Sequence, residues 1–196
     1  MLEITIKLVL FLFPLAYSPG PGNMFFAANG ARFGFSSTIP ANTGYHITTW
    51  IVTLAIGLGF GWIATEFHVL LIIIKYLGSG YVLYLAWRLL RAGKLGDNAN
   101  ARQASFRDGV ILLLLNPKAY LIIALMFTQF TTAGTNIALI LLITTVFTLN
   151  NLLAFTIWAY VGDRLAQIFR KDVGAQMLNT LFGIMLAAVA IWMLFS

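Results

Sequence analysis

Two short proline-containing segments hold the residues of this chain that are best suited to binding a small charged group. Residues 18–23 read Ser-Pro-Gly-Pro-Gly-Asn, and residues 116–118 read Asn-Pro-Lys. Proline lacks a backbone N–H and clashes with the preceding helical turn, so each segment should break a helix. A break exposes N–H groups at the positive end of the following half-helix, which suit an anionic group, and it frees carbonyls that suit a cationic one.

The sequence also indicates where the half-helices begin. Asparagine is a good N-cap and proline is favoured at the first helical position, so one half-helix should start at Pro117, after Asn116. The other should start at Pro19 or Pro21. The candidate binding residues at the two breaks are Pro19, Gly20, Pro21, Asn23, Asn116, Pro117 and Lys118.

Further polar side chains recur at helical spacing inside otherwise apolar segments. Each of three sets should share one helical face: Asn42, His46, Thr49 and Thr53; Thr144, Thr148 and Asn151; and Asn116, Tyr120 and Thr128. Polar groups are unfavourable against lipid, so all three faces should point into the protein. Hydrogen bonds between helices, worth about 0.6–2 kcal/mol per pair, would account for any single threonine. The combined faces favour a polar pathway, with Asn42, His46 and Asn151 as candidate binding residues.

Two lysines and one histidine fall within the apolar segments. A lysine at the centre of a bilayer costs roughly 2.5–3.5 kcal/mol on insertion scales. Lys118 follows the second break, so it should pair either with a substrate carboxylate or with helix carbonyls. Lys75 lies nearer a segment end and should extend its ammonium towards water. His46 has the pKa range of a proton relay, although a lone histidine can equally be a satisfied hydrogen-bonding residue.

The sequence lacks the residues that several other function classes need. It has no cysteine, which excludes disulfides, thiolate metal sites and cysteine nucleophiles. No carboxylate pair lies inside an apolar segment, and no HExxH, GxSxG or Walker A motif occurs. We therefore expect no catalytic residue, no metal site, no cofactor and no ATP hydrolysis by this chain.

The composition indicates which elements position these residues. Of 196 residues, 60% are hydrophobic and only 9% are charged, whereas soluble domains carry about 25% charged residues. Six segments have roughly the length that a membrane-spanning helix needs: about 4–28, 38–63, 69–90, 109–131, 137–160 and 175–195. The pattern predicts an all-α integral membrane protein with six transmembrane helices in a single domain over residues 1–196.

The breaks fall in the first and fourth apolar segments, which divides the chain into two three-span halves. Repeat one covers about 1–93 and repeat two about 107–196, joined by a polar loop at 94–106. Because three spans is an odd number, the second half would insert upside down, as in inverted-repeat transporters that bind substrate near the midplane. The alternative is a pair of harmless proline kinks, which are common in membrane helices.

The charge distribution predicts the orientation in the membrane. Most of the twelve lysines and arginines lie in or beside the first, third and fifth loops: Arg32, Arg88, Arg91, Lys94, Arg102, Arg107, Arg164, Arg170 and Lys171. The positive-inside rule places these loops in the cytoplasm and both termini outside. Topology thus explains the net charge of +6 better than nucleic-acid binding does, and the basic loop can contact anionic lipid.

Several motifs resemble those of the LysE/RhtB family of amino-acid exporters over nearly the whole chain. The opening signature is the 18–23 segment, followed by Asn29-Gly30 and Phe33-Gly34-Phe35. The later motifs are Lys75-Tyr76-Leu77-Gly78, the segment 81–88, Leu115-Asn116-Pro117-Lys118-Ala119, and Trp158 with Gly162 and Phe169-Arg170. The chain looks closest to the branch containing the cysteine/O-acetylserine exporter. It departs from the family at Gly22, where the family usually has Asp or Asn.

The resemblance implies export of small amino acids or related metabolites across the bacterial inner membrane, driven by the proton gradient. An amino acid is a zwitterion, so its site must neutralise both ends. The amides near Pro21–Asn23 and Pro117–Lys118 suit the carboxylate, and the freed carbonyls with Asn42, Asn116 or Asn151 suit the ammonium. His46, or the outlying Glu66, is the candidate for proton coupling. The two halves would rock around this site.

Two other function classes stay open at this point. An intramembrane enzyme acting on a lipid-like substrate would need several titratable residues at one depth, and the sequence offers almost none. A membrane assembly subunit without transport would not need paired broken helices. The GxxxG spacing of Gly57 and Gly61 fits close packing within the chain or a homo-oligomer.

Overall fold

The described part of the chain is helical, as the sequence predicts. The computed structural model describes residues 2–59, 68–91, 102–132, 135–168 and 172–195. Over these residues the α-helices are α1 (Leu2–Tyr17), α2 (Pro21–Phe33), α3 (Ile39–Leu58), α4 (His68–Leu90), α5 (Phe106–Leu114), α6 (Pro117–Phe130), α7 (Ile137–Ile168) and α8 (Asp172–Phe195). A 3₁₀ turn, Phe35–Thr38, joins α2 to α3.

Both predicted helix breaks are present. The axes of α1 and α2 differ by 62°, and those of α5 and α6 by 61°. Pro21 and Pro117 occupy the first turn of α2 and α6, where a missing N–H costs no helical hydrogen bond. Of the two starts that the sequence left open, the half-helix therefore begins at Pro21. The N-cap residues Gly20 and Asn116 both have extended backbone conformations.

Besides its buried apolar core, the protein buries several polar side chains and exposes many large apolar ones, which is unusual for a soluble protein. Leu10 and Leu77 are 68% and 60% exposed, whereas the side chains of Thr49, Thr53 and Thr144 are fully buried. The predicted polar faces of the second and fifth segments, now on α3 and α7, therefore point into the protein. Exposed apolar side chains are expected on a protein surface that contacts lipid.

The predicted polar face of the fourth segment is wrong at Thr128. This residue is exposed, and its hydroxyl donates to the carbonyl of Ala124. Asn116 is the N-cap of α6, and Thr128 lies twelve residues after it in the same unbroken helix. At 3.6 residues per turn, a spacing of twelve places the two residues about 120° apart around the helix, so they do not share a face.

Glycines allow two pairs of helices to touch backbone to backbone. A Cβ atom at Gly30 would overlap the carbonyl of Ala159, and one at Gly162 would overlap the carbonyl of Ala27. These reciprocal contacts hold α2 along α7. Helices α3 and α5 meet in the same way, through Gly44 against Phe106 and Gly109 against Ala41. Each break therefore has one of its two half-helices fixed against a helix of the other half of the chain.

By length and composition, α7 can cross a membrane, and so can each bent pair if it is counted as one span. The predicted segments 38–63, 69–90 and 175–195 overlap α3, α4 and α8. These three helices are not among those that meet the limits of length and composition. Six spans therefore stays a prediction. Gly57 packs against Phe127 and Ile140 within the chain, which fits close internal packing. Gly61, Glu66 and Lys94 lie outside the described residues.

Candidate functional site

The two helix breaks lie side by side, and Lys118 connects them. Its ammonium donates to the carbonyl of Ser18 at 3.0 Å, to the Ser18 hydroxyl at 2.9 Å and to the carbonyl of Pro19 at 3.4 Å. Of the two pairings that the sequence left open for this lysine, the structure shows the one with helix carbonyls. A cation from the start of α6 thus satisfies backbone groups that the first break leaves free.

Side chains from three other helices bind the carbonyls at the end of α1. Asn23 of α2 donates to the carbonyl of Ala16 at 2.8 Å. The indole N–H of Trp158, on α7, donates to the carbonyl of Tyr17 at 3.1 Å. With Lys118 on α6, three successive carbonyls have side-chain donors where an unbroken helix would have supplied amides. The first break is therefore stabilised by hydrogen bonds from specific side chains and is not a simple kink.

The start of α2 offers backbone N–H groups. Pro21 has none, and the first bond of the helix joins the Met24 N–H to the carbonyl of Gly20 at 2.9 Å. The amides of Gly22 and Asn23 come before this bond, at the positive end of the helix dipole. They form the anion-binding side of the candidate site.

Asn116 does not cap its own helix. Its Nδ2 donates to the hydroxyl of Tyr45 at 2.8 Å, which turns the amide group towards α3. Its Oδ1 is buried and has no hydrogen-bond partner among the described residues. A buried acceptor without a donor costs about 1–3 kcal/mol, which a ligand that supplies an N–H could recover.

Behind the breaks, His46 joins α3 to α7. Its Nδ1 lies 2.9 Å from the carbonyl of Asn42, and its Nε2 lies 3.4 Å from Nδ2 of Asn151. Because a carbonyl only accepts, Nδ1 carries the proton and Nε2 accepts from the asparagine. Asn42 in turn donates to the hydroxyl of Thr156 at 3.4 Å. Both ring nitrogens of the histidine therefore have a hydrogen-bond partner.

A cavity of about 10 Å³ lies between the breaks. Its lining includes Gly20, Asn23, Asn116, Lys118, Asn151 and Phe155. Such a space holds about one water molecule, so the site is closed in this structure. Five of the predicted residues therefore meet at one point. Pro19, Pro21 and Pro117 shape the breaks without lining the cavity, and Asn42 and His46 lie behind it.

The sequence missed Tyr45 and Phe155, which complete the site. The Phe155 ring packs 4.8 Å from that of Tyr45, 5.2 Å from that of Phe26 and 5.2 Å from the imidazole of His46. The sequence contained a signal for both residues. Phe155 lies four residues after Asn151, and Tyr45 lies four before Thr49, so each shares a helical face with a polar residue that was singled out.

A larger cavity of about 480 Å³ opens at the end of the molecule where α2 and α4 end and α5 begins. Its charged lining consists of Arg32, Arg88, Arg91, Arg102 and Asp108. Arg102 forms a two-pronged pair with Asp108, at 2.9 Å to each carboxylate oxygen. Phe25 lines this cavity and its ring packs 5.3 Å from that of Phe26. Aromatic side chains therefore separate the open cavity from the closed one.

Known proteins resemble the chain over most of its length. An uncharacterized membrane protein of Pseudomonas aeruginosa is 31% identical over 169 residues, which cover 78% of this chain and 76% of the relative. Leucine efflux proteins of Salmonella typhimurium and Salmonella typhi are 31% identical over 136 residues. That match covers 65% of this chain and 64% of each relative, just under two thirds of their length. No solved structure gives a significant match.

The family comparison covers the residues that build the site. The family model described as LysE type translocator matches residues 13–196. This range includes both breaks, the polar faces of α3 and α7, and Phe155. The resemblance seen in the sequence motifs is thus confirmed at the level of the family, while its cysteine/O-acetylserine branch is not. The chain belongs to the LysE type translocator family and is a helical membrane protein.

Proposed function

We propose that this protein is a secondary exporter that carries a small amino acid out of a bacterial cell. The observation that carries the proposal is the meeting of the two helix breaks, where Lys118 of α6 binds the carbonyls of Ser18 and Pro19. A family of translocators and relatives named for leucine efflux support an amino acid as the substrate.

The contacts of Lys118 suggest how a zwitterion enters the site. In this structure the lysine ammonium binds the carbonyls at the end of α1. An amino acid that inserts between them would place its own ammonium on those carbonyls and on Oδ1 of Asn116. Its carboxylate would then face the released Lys118 and the amides of Gly22 and Asn23. The substrate ammonium would replace Lys118 on the carbonyls and supply a donor to Oδ1 of Asn116, and the carboxylate would bind the released Lys118 and the amides. Neither charge is then left unpaired in the membrane.

The transport cycle follows from two matching halves. We infer six spans arranged as two inverted repeats, because each half begins with a proline break of almost the same bend. The arginine-lined cavity then faces the cytoplasm, in agreement with the positive-inside rule, and both termini lie outside the inner membrane. Loading from this cavity requires the aromatic side chains around Phe155 to move, after which the halves rock to release the substrate on the far side. The partners are the substrate, protons and the lipid bilayer, and a homo-oligomer stays open.

A counterflow assay tests the proposal. Proteoliposomes preloaded with one unlabelled amino acid should take up its labelled form, with leucine, cysteine and O-acetylserine tested first. Asn116→Ala should slow counterflow about tenfold or more, because an ammonium loses a buried acceptor worth roughly 1.5–3 kcal/mol. Asn136→Ala is the matched control, since that asparagine is exposed and, among the described residues, its side chain accepts from the backbone N–H of Leu139. Because this contact caps α7, both rates are normalised to folded protein.

The same assay separates the other function classes. Turnover of bilayer lipids without counterflow would favour an intramembrane enzyme. Absence of both activities in folded protein would favour an assembly subunit. Equal counterflow by the Asn116→Ala and Asn136→Ala variants would place the substrate elsewhere and remove the support for a site between the breaks.

We propose His46 as the group that couples export to protons. His46→Gln should abolish accumulation driven by a pH gradient while leaving counterflow, which needs no net proton movement. The titratable side chains that line the cavity, Tyr45 and Lys118, contact groups assigned to the substrate, whereas His46 lies behind the cavity and joins α3 to α7. Proton flux is measured with a pH-sensitive dye inside the vesicles. Thr49→Val is the control, because its hydroxyl donates only to the carbonyl of Tyr45 one turn away. Retained proton flux in His46→Gln would contradict this role.

A further inference from the structure

Phe155 presses directly on the first turn of α2. A Cβ atom placed on Gly22 would overlap the Phe155 ring, so the ring occupies the space that any other residue at position 22 would fill. Both residues line the small central cavity. The benzyl side chain therefore lies beside the amides of Gly22 and Asn23, where the substrate carboxylate is expected.

The small central cavity also has an apolar wall. The cavity lining also includes Leu15, Ala119, Ile122 and Phe147. These side chains come from α1, α6 and α7, the helices that meet at the breaks. Of the polar lining groups, the amides of Gly22 and Asn23, together with Asn116 and Lys118, are the ones assigned to the charged ends of the substrate. The hydroxyl of Tyr45 and the amide of Asn151, which also line the cavity, already have hydrogen-bond partners in Asn116 and His46. What remains for the substrate side chain is mainly the apolar wall.

We propose that Phe155 and Gly22 form the subsite for the substrate side chain and select an apolar side chain of about the size of leucine. The inference rests on the proposed function and names its substrate class. In this structure the Phe155 ring fills this subsite, in keeping with a cavity between the breaks of only about 10 Å³. Substrate entry moves the ring aside, and the room it vacates sets the size that is accepted. Polar side chains are rejected because their hydrogen-bonding groups would be buried unpaired.

Competition counterflow with leucine, phenylalanine, alanine and asparagine tests the subsite. Phe155→Ala enlarges it, so the preference for phenylalanine over leucine should rise about tenfold or more, as expected for a pocket that gains several methylenes of space. Phe155→Leu keeps an apolar side chain and is therefore less disruptive to folding. It should raise the preference for phenylalanine over leucine by a smaller factor. A preference ratio is insensitive to the amount of folded protein.

Gly22→Ala tests the opposite wall. The added methyl group takes up room between α2 and the ring, so the subsite becomes smaller and leucine counterflow should fall about tenfold while alanine, which needs less room, is still carried. Gly22→Ala combined with Phe155→Ala should restore leucine, because removal of the ring returns the room that the methyl group takes. Phe26→Leu is the matched control: its ring packs on Phe155 but does not line the cavity, and its preference ratio should stay unchanged.

The outcomes separate this inference from the proposed function. No amino-acid counterflow by the unmodified protein means that the proposed function itself has failed. Counterflow with an unchanged size ranking in both Phe155 variants overturns the inference and leaves the exporter intact. The same conclusion follows if Phe26→Leu shifts the ratio as much as Phe155→Leu, or if asparagine competes as well as leucine.

Discussion

Lys118→Met should abolish amino-acid export, lowering counterflow at least about 100-fold per folded molecule. Methionine has a similar length without the charge, so the carbonyls of Ser18 and Pro19 lose their donor and the substrate carboxylate loses its cation. Removing one partner of a buried charged pair costs about 3–5 kcal/mol, which corresponds to a factor of roughly 100 or more. The rate is measured by counterflow in proteoliposomes and normalised to monodisperse protein by size-exclusion chromatography.

Lys75→Met provides the matched control for the loss of an intramembrane lysine. Lys75 is half-buried in α4 and makes no hydrogen bond or ion pair with the described residues, so its replacement should leave counterflow within about twofold, the range of surface substitutions. Lys118→Met with counterflow equal to Lys75→Met would show that this lysine only fastens the broken helices. A fall in folded protein without a fall in the normalised rate would lead to the same conclusion.

The helices and the two breaks were predictable because a single physical constraint determines each of them. Long apolar stretches can only be satisfied as helices in lipid, and proline cannot continue a helix, so the helices and both breaks follow from local sequence. Asn116 and Lys118 were identifiable for the same reason, because they flank a break. The choice between Pro19 and Pro21 was not local: α2 begins where Gly20 can adopt an extended backbone beside the Lys118 side chain, whose Nζ lies 2.9 Å from the position of a Gly20 Cβ.

The partners of the site residues were not predictable, because they lie far apart in sequence. Lys118 and Ser18 are 100 residues apart, and Asn116 and Tyr45 are 71 residues apart. No periodicity within one helix specifies such a pair. The error at Thr128 was one of spacing, because the twelve residues from Asn116 to Thr128 do not complete a whole number of helical turns. Phe155 was overlooked because an aromatic residue in an apolar helix usually belongs to the hydrophobic core. What distinguishes Phe155 is its contact with Gly22, where the absence of a side chain leaves room for the ring.

Gly162→Leu should leave almost no folded protein. At this crossing the Gly162 Cα faces the carbonyl of Ala27, and Gly30 faces the carbonyl of Ala159 in return. An added side chain would meet backbone, which cannot rotate away as a side chain can, so α2 and α7 must separate. Those two helices carry the Gly22 amide and Phe155, and therefore the site is lost with the packing.

A smaller change makes the effect measurable. Gly162→Ala should cost about 2–3 kcal/mol of the free energy of unfolding, within the range for overpacking, and lower the thermal midpoint by about 4–12 °C at 2–4 °C per kcal/mol. Gly80→Ala is the matched control on α4, because nothing lies within 4 Å of its Cβ position. Alanine favours a helix over glycine by about 1 kcal/mol, so this control should hold or raise the midpoint. The two substitutions are chemically identical and opposite in expected sign, so equal midpoints would mean that α2 and α7 do not touch through their backbones, and the placement of Phe155 against Gly22 would lose its foundation.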